Sequence, residues 1–134
     1  MSEYFDTPAL VFACGKSAFA QSARKLIADS TDPVTIPHAI AECFNSLTYR
    51  LGFPPRLVRD SLRSNLKRFR FVTLDAADYH AALDRLIEHG LTGDKIFDAL
   101  HVGGAIKVGA EKIYTSNKRD FGAMTDIPIE RIGP

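Results

Sequence analysis

Three acidic residues occur where the chemistry of a carboxylate depends on what surrounds it. Asp6 follows a short apolar segment, Asp98 lies in the first turn of an otherwise apolar helical stretch, and Glu42 lies inside another helical stretch. The segment 115–120 adds hydroxyl, amide and carboxylate oxygens. Oxygen donors without a cluster of histidines or cysteines favour Mg²⁺ or Mn²⁺ over zinc. These residue types therefore predict a site for a hard divalent cation.

Asp6 is expected at the carboxyl end of a strand formed by residues 3–5. Ligands gather beyond the carboxyl ends of strands in parallel α/β sheets, which makes Asp6 the first candidate metal ligand. Helix capping is an alternative, because Asp6 or Thr7 could bond the opening amides of a helix that begins at Pro8. Position alone leaves both interpretations open.

Glu42 is placed by the apolar pattern of the helix that follows Pro37. That helix carries an apolar stripe at helical spacing, formed by Ile40, Phe44, Leu47 and Leu51, which is expected to face the core. Glu42 falls nearly opposite the stripe, so it is either a solvated glutamate or part of a cleft lined by small neighbours. Periodicity does not separate the two.

Asp98 is the acid with the strongest physical argument. Helix-terminal amides stabilise a carboxylate by about 0.3 to 1 kcal/mol, whereas desolvating an ion costs several kcal/mol. A buried Asp98 therefore implies a cation or another strong partner. Asp94, at the start of the same helix, is interpreted as a cap. Further along the chain, Thr115, Asn117 and Asp120 follow the last clear strand and are additional candidates.

The surrounding elements are predicted from periodicity and from glycine and proline positions. Strands are expected at 3–5, 34–36, 70–74 and 113–115. Helices are expected at 9–13, 17–27, 37–51, 56–68 and 93–108, with a further helix capped by Asp75 and ending at His89. Alternating strands and helices of these lengths predict right-handed crossovers and a parallel sheet covered on both faces.

Bulk properties bound the class of protein. A chain of 134 residues fits one domain, 1–134, and its net charge of +1 excludes an overall electrostatic attraction to polyanions. Cys14 and Cys43 lack the spacing of a metal or redox motif, which is typical of a reducing compartment, and we expect the cytoplasm. The first twenty residues do not resemble a signal peptide, and no apolar run is long enough to span a membrane.

At the acidic positions the sequence resembles the PIN-domain family, and within it the small toxins of the VapC type. The resemblance covers nearly the whole chain, through the order and spacing of several short pieces. These pieces are Phe5-Asp6-Thr7, Ala41-Glu42, Asp98-Ala99-Leu100, Thr115-Ser116-Asn117 and Asp120-Phe121.

The resemblance implies a PIN-like α/β fold of three layers, with a central parallel sheet of four to five strands between helices. It further implies a ribonuclease dependent on Mg²⁺ or Mn²⁺, in which activated water leaves a 5′-phosphate and a 3′-hydroxyl. RNA is then the substrate, a cognate antitoxin the protein partner, and a homodimer the expected assembly.

The family pattern also assigns roles to individual residues. Asp6, Glu42 and Asp98 match the invariant acids, and Asn117 stands where many members carry a fourth aspartate, so these four are the candidate catalytic residues. Asp120 follows shortly after and is the other candidate for the fourth metal ligand. Two hydroxyl residues beside the acids are expected to orient them: Thr7 and Thr115.

Two alternative functions remain at this stage. Pro8, where the family usually has a small polar residue, and Asn117 together motivate a degenerate PIN module that binds RNA or a protein without cleavage. A phosphate-accepting receiver-like domain is the other, but it lacks the acidic pair expected beside Asp6 and gives Glu42 no role.

Basic residues recur at helical spacing, adjacent to an apolar row formed by Val58, Leu62, Leu66 and Phe69. The stripe consists of Arg56, Arg59, Arg63, Lys67 and Arg70. It could bind RNA phosphates or form an ordinary solvated face.

The remaining signals are interpreted as structural. His38, His80, His89 and His101 show no metal-binding spacing, so surface, cap and core roles are expected for all four. The glycine pair Gly103-Gly104 inside a helix predicts close packing of that helix.

Overall fold

The computed structural model describes residues 1–134, and its centre is a sheet of five strands. The strands are β1 (Glu3–Phe5), β2 (Pro33–Thr35), β3 (Arg70–Phe71), β4 (Lys112–Thr115) and β5 (Ile129–Arg131). Their order is β3-β2-β1-β4-β5, and each neighbouring pair is parallel. The predicted parallel sheet is confirmed, and β5 is the strand that the prediction of four to five strands left open.

Seven α-helices connect and cover these strands. They are α1 (Thr7–Cys14), α2 (Ala20–Asp29), α3 (His38–Asn45), α4 (Pro55–Asn65), α5 (Ala76–Glu88), α6 (Lys95–Lys107) and α7 (Lys118–Met124), with a π-helical turn at Ser46–Arg50 directly after α3. None of them combines the length and the apolar character that crossing a bilayer requires.

The core is divided by the sheet into two apolar clusters. Tyr4 and Phe5, adjacent in β1, are both buried but belong to different clusters, as alternation along a strand requires. Residues of α1, α2, α3 and α4 pack with Phe5, whereas residues of α5, α6 and α7 pack with Tyr4. The three-layer α/β architecture expected from the sequence is therefore confirmed.

The strand order creates a crevice between β1 and β4. From β1 the chain builds outward through β2 to β3, and then it returns to place β4 on the other side of β1 and β5 beyond it. Helices that follow neighbouring strands then diverge to opposite faces, which opens a cleft at the carboxyl edge. Asp6 follows β1 and Ser116 follows β4, so both enter this crevice.

The predicted capping role is confirmed for Asp75 but not for Asp94. Asp75 forms a capping box with Asp78, in which each side chain accepts from the other's backbone N–H at 3.0 and 2.9 Å. Asp94 occupies the N-cap position of α6, but its side chain makes no capping hydrogen bond. The prediction of Asp94 as a plain cap is wrong, and its exposed carboxylate lines the cleft instead.

The apolar stripe of the helix after Pro37 was predicted to face the core. That prediction is wrong for three of its four residues. Ile40, Phe44 and Leu51 are 40%, 39% and 58% exposed. The buried face comprises Ala39, Cys43 and Leu47. Small side chains let α3 approach α1 closely, and the Sγ of Cys43 lies 3.8 Å from the carbonyl oxygen of Thr7. This close approach turns the neighbouring Glu42 toward the start of α1.

The third strand is shorter than expected. Periodicity predicted 70–74, but β3 comprises only Arg70–Phe71. It lies at the sheet edge and pairs only with β2, whose own last residue is Thr35. Its partner ends there, so the ladder ends with the hydrogen bond from the N–H of Val72 to the carbonyl of Thr35.

The two adjacent glycines of α6 have different environments. A Cβ atom on Gly104 would lie 2.7 Å from Cγ2 of Ile36 and 3.2 Å from the ring of Tyr4. At Gly103 the nearest atom would be the guanidinium of Arg85 at 3.8 Å. Close packing is therefore confirmed for Gly104, which lets α6 lie directly on β1, and Gly103 has no such role.

Candidate active site

Asp6 caps α1, as one interpretation of its position predicted, and its role as a metal ligand stays a prediction. Its Oδ1 accepts from the N–H of Thr7 at 2.6 Å, which caps α1, and its Oδ2 accepts from the hydroxyl of Thr115 at 2.7 Å. The carboxylate is 2% exposed and lines the cleft. Burial raises the pKa of Asp6, although His101 and the two hydrogen bonds oppose that shift. The structure thus places a strongly held carboxylate at the end of β1.

Glu42 reaches the same point from α3. Its Oε1 accepts from the hydroxyl of Thr7 at 3.0 Å and lies 2.9 Å from Nε2 of His101. The side chain is 23% exposed and lines the cleft. The interpretation of a freely solvated glutamate is wrong, because Glu42 is half-buried and has two hydrogen-bonding partners. Thr7 therefore contacts both acids, Asp6 through its amide and Glu42 through its hydroxyl.

His101 is the residue of this site that the sequence analysis missed. It is 1% exposed, and its Nδ1 lies 2.6 Å from the hydroxyl of Tyr4. Its Nε2 lies 3.0 Å from the hydroxyl of Thr7 and 3.4 Å from Oδ1 of Asp6. Surface, cap and core roles were expected for the four histidines together; His101 is buried, and its ring contacts polar groups. Its spacing of three residues from Asp98 on one helix face could have revealed it.

The hydrogen bonds settle where the His101 ring carries a proton. A carboxylate can only accept, so Nε2 bears the hydrogen that bonds Glu42. Burial alone would lower the pKa of His101, but the charge of Asp6 and the bond to Glu42 outweigh it and raise the pKa. Burial would likewise raise the pKa of Glu42, and the hydrogen bond and charge of His101 outweigh it, so that pKa is lowered. Glu42 therefore stays ionised.

Asp98 has much weaker support than Asp6 or Glu42. Its Oδ2 accepts one hydrogen bond, from Nδ2 of Asn117 at 3.0 Å, and it takes part in no ion pair. Burial and then the charge of Asp6 raise the pKa of Asp98 to about 6. Asp6 and Asp98 thus repel one another across a partly buried cleft, and the charges of Lys95 and His101 offset the raised pKa of Asp98 only in part.

Asn117 links Asp98 to Asp120. Its Nδ2 donates to Oδ2 of both residues, each at 3.0 Å, and it caps α7 by accepting from the N–H of Asp120 at 3.5 Å. The other Asp120 partner is Lys95, whose Nζ lies 2.7 Å from Oδ2. Lys95 was not recognised from the sequence. The hydroxyl of Thr115, besides holding Asp6, accepts from the N–H of Asn117 at 3.1 Å.

These side chains surround a cleft of about 570 Å³. Its lining includes all three acids, Asn117 and two basic residues, Arg50 and Lys95. No three His, Cys, Asp or Glu side chains form a ready-made metal cage. Mg²⁺ keeps several waters and commonly takes one or two carboxylates, so an open pair such as Asp6 and Asp98 fits it without a closed cage.

The predicted basic stripe lies on a different surface. All its members are exposed, and none lines the cleft. Arg56, Arg59 and Arg63 border a separate groove that contains the exposed Ile40 and Phe44. RNA binding by this stripe stays a prediction.

The fold and the cleft define an α/β protein with acids gathered at the switch point of a parallel sheet. Residues 4–126 match the family model of the PIN domain. Ribonuclease VapC40 of Mycobacterium tuberculosis, from strains CDC 1551 / Oshkosh and H37Rv, is 34% identical over 98 residues, which cover 71% of this chain and 72% of the relative. The chain belongs to the PIN-domain family.

Two solved structures share the fold. One is VapC20 of Mycobacterium tuberculosis, described as a toxin that cleaves the sarcin-ricin loop, with a TM-score of 0.72 and 21% identity over 90% of this chain and 94% of that one. The other is VapBC2 from Rickettsia felis bound to a DNA fragment from its promoter, with a TM-score of 0.72 and 21% identity over 99% of this chain and 100% of that one. At these identities the likeness concerns the fold.

Proposed function

We propose that this protein is a ribonuclease that hydrolyses RNA phosphodiester bonds with a bound Mg²⁺ or Mn²⁺ ion. One observation carries the proposal: Asp98 and Asp6 line the same cleft, Asp98 forms no ion pair, and its pKa is raised to about 6. Such an arrangement destabilises the metal-free site and is relieved by a divalent cation. The 34% identical ribonuclease supports RNA as the substrate.

Asp6 and Asp98 would hold the cation, with Glu42 reaching it directly or through water. When bound, the ion would polarise a phosphate oxygen and lower the pKa of a bound water, so that the water attacks phosphorus in line. The donor set consists of carboxylate and amide oxygens, which suits hard cations. Asn117, at the start of α7, would hold Asp98 through its amide, and Asp120 is paired with Lys95.

The remaining side chains position these acids or meet the substrate. Thr115 and the amide of Thr7 fix the two oxygens of Asp6, and the hydroxyl of Thr7 fixes Glu42. Arg50 lines the cleft and has no carboxylate partner, so its guanidinium is free to pair with a phosphate of the RNA backbone. Specific recognition of RNA would then depend on the cleft rather than on overall charge.

The biological role that fits is the toxin of a toxin–antitoxin pair, with RNA as substrate, a cognate antitoxin as partner and a homodimer as assembly. The antitoxin is supported by the VapBC2 complex of Rickettsia felis, which has the same fold. The unpaired thiols of Cys14 and Cys43 are consistent with action in the cytoplasm.

The test is cleavage of single-stranded RNA by the purified protein with Mn²⁺, with Mg²⁺ and with EDTA. We expect cleavage in both metals and none in EDTA, with products that carry 5′-phosphate and 3′-hydroxyl ends. Cyclic 2′,3′-phosphate ends would contradict attack by metal-activated water. RNA binding without cleavage in any metal would favour the degenerate module instead.

A further inference from the structure

Lys95 occupies a specific place among the acids. It is the first residue of α6 and lies one turn before Asp98, on the same helix face. Its ammonium contacts Oδ2 of Asp120 at 2.7 Å, and that oxygen also accepts from Nδ2 of Asn117 at 3.0 Å. The Lys95 side chain is 38% exposed and that of Asp120 only 19%, so the pair is partly buried, and Lys95 lines the cleft.

The acids of the cleft are therefore compensated unequally. Asp6 and Glu42 share His101, at 3.4 and 2.9 Å. Asp120 has Lys95. Asp98 has no ion pair: it accepts a hydrogen bond from the neutral amide of Asn117, and the charges of Lys95 and His101 offset its raised pKa only in part. Asp98 is thus the only one of these four acids without an ion pair.

We infer that the ammonium of Lys95 takes the place of a second metal ion. It keeps Asp120 out of metal coordination and limits the site to one divalent ion between Asp6 and Asp98. This inference rests on the proposed function and adds the metal count and the choice of ligands. Like charges repel, so a divalent ion could bind Asp120 only after the ammonium moved away.

The same arrangement assigns Asn117 a positioning role. Its amide donates to Asp98 and Asp120 together, so it holds the metal-binding acid and the Lys95-paired acid at a fixed separation. Asp120 then acts through Lys95 and Asn117 and would not serve as the fourth metal ligand.

The experiment is a Mn²⁺ titration of the full-length protein, with bound and free ion counted by electron paramagnetic resonance. We expect one Mn²⁺ per chain in the wild type and in Lys95→Arg, which keeps the charge. Lys95→Gln should gain a second, weaker Mn²⁺, because Asp120 is then released. Lys95→Gln combined with Asp120→Asn should return to one ion.

The possible outcomes separate this inference from the proposed function. Two Mn²⁺ ions per wild-type chain, or an unchanged count in Lys95→Gln, would overturn the role of Lys95 while leaving metal-dependent RNA cleavage standing. No Mn²⁺ binding to the wild type would overturn both. Circular dichroism of each variant checks that the exposed Lys95 position tolerates the change.

Discussion

His101 connects the buried end of the site to the sheet beneath it. Tyr4 of β1 holds its Nδ1, and Glu42 and Thr7 lie at its Nε2, so one imidazole joins β1, α1 and α3. A buried network of this kind is stabilising only while each member keeps its partner. The histidine therefore matters both for stability and for the orientation of Glu42.

We predict that His101→Leu destabilises the protein by about 3 kcal/mol, because it leaves the buried Tyr4 hydroxyl unpaired and removes the cationic partner of Glu42. Urea unfolding measures the loss. His80→Gln on α5, where the side chain is exposed, is the control and should change stability by less than about 0.5 kcal/mol. Equal stability of His101→Leu and the wild type would contradict the network.

Asp98 gives a second prediction for a single residue: the effect of replacing it on the stability of the protein depends on pH. Its pKa in the folded protein is about 6, above its usual 3.8. Between these pH values the folded state therefore binds a proton that the unfolded state has released. The associated stability is present below pH 3.8 and lost as pH rises through about 6. Asp98→Asn removes this loss and should stabilise the metal-free protein by about 1–2 kcal/mol at pH 8, after discounting for solvent screening.

The measurement is urea unfolding in EDTA at pH 5 and pH 8, where the advantage of Asp98→Asn should be larger at the higher pH. Asp120→Asn is the matched control. The hydrogen bonds from Lys95 and Asn117 lower the pKa of Asp120, so this variant should lose stability at pH 8 instead of gaining it. A gain in both variants would mean that Asp98 is not specifically strained.

At the scale of elements, α6 organises the site. Successive turns carry Lys95, Asp98 and His101: the first two line the cleft and His101 is buried. Further along the helix, Gly104 packs onto Tyr4 and Ile36. The helix can present its polar residues at the carboxyl edge because Gly104 lets its other end lie directly on the sheet. Its distance from β1 therefore sets the geometry of the acids.

We predict opposite effects for alanine at the two glycines of this helix. Gly104→Ala places a methyl group 2.7 Å from Ile36 and should destabilise the protein by about 1–2 kcal/mol net of the better helix propensity. Gly103→Ala meets nothing closer than 3.8 Å and should stabilise it by up to about 1 kcal/mol. Thermal unfolding of both variants decides. Destabilisation by both would show that packing at Gly104 is not the cause.

At the scale of the whole molecule, sequence periodicity and the family resemblance together predicted the fold. The alternation of strands and helices, the cap at Asp75 and the apolar character of α6 each depend on residues close together in the sequence. They can therefore be predicted from the sequence alone. The short length of β3 could not be predicted in this way, because it depends on where its partner strand β2 ends.

The acids were predictable as residues but not as a set of contacts. Asp6 and Asp98 were identified from strand-end and helix-start positions. The apolar stripe on α3 misplaced the buried face, because the packing of Ala39 and Cys43 against α1 is a tertiary effect. His101 and Lys95 were missed because their partners lie on other elements, 59 and 25 residues away for Glu42 and Asp120.

Cleavage of a labelled single-stranded RNA by wild type, Asp98→Asn and Asp84→Asn in Mn²⁺ tests whether RNA hydrolysis depends on a metal ion held by Asp98. Asp84 is exposed on α5 and does not line the cleft, so it controls for loss of one negative charge. We predict that Asp98→Asn loses at least about 100-fold in rate, of the size found when one group that stabilises developing charge is removed. Asp84→Asn should cut like the wild type. Equal cleavage by Asp98→Asn and the wild type, or Mn²⁺-independent cleavage, would contradict a metal site built on Asp98.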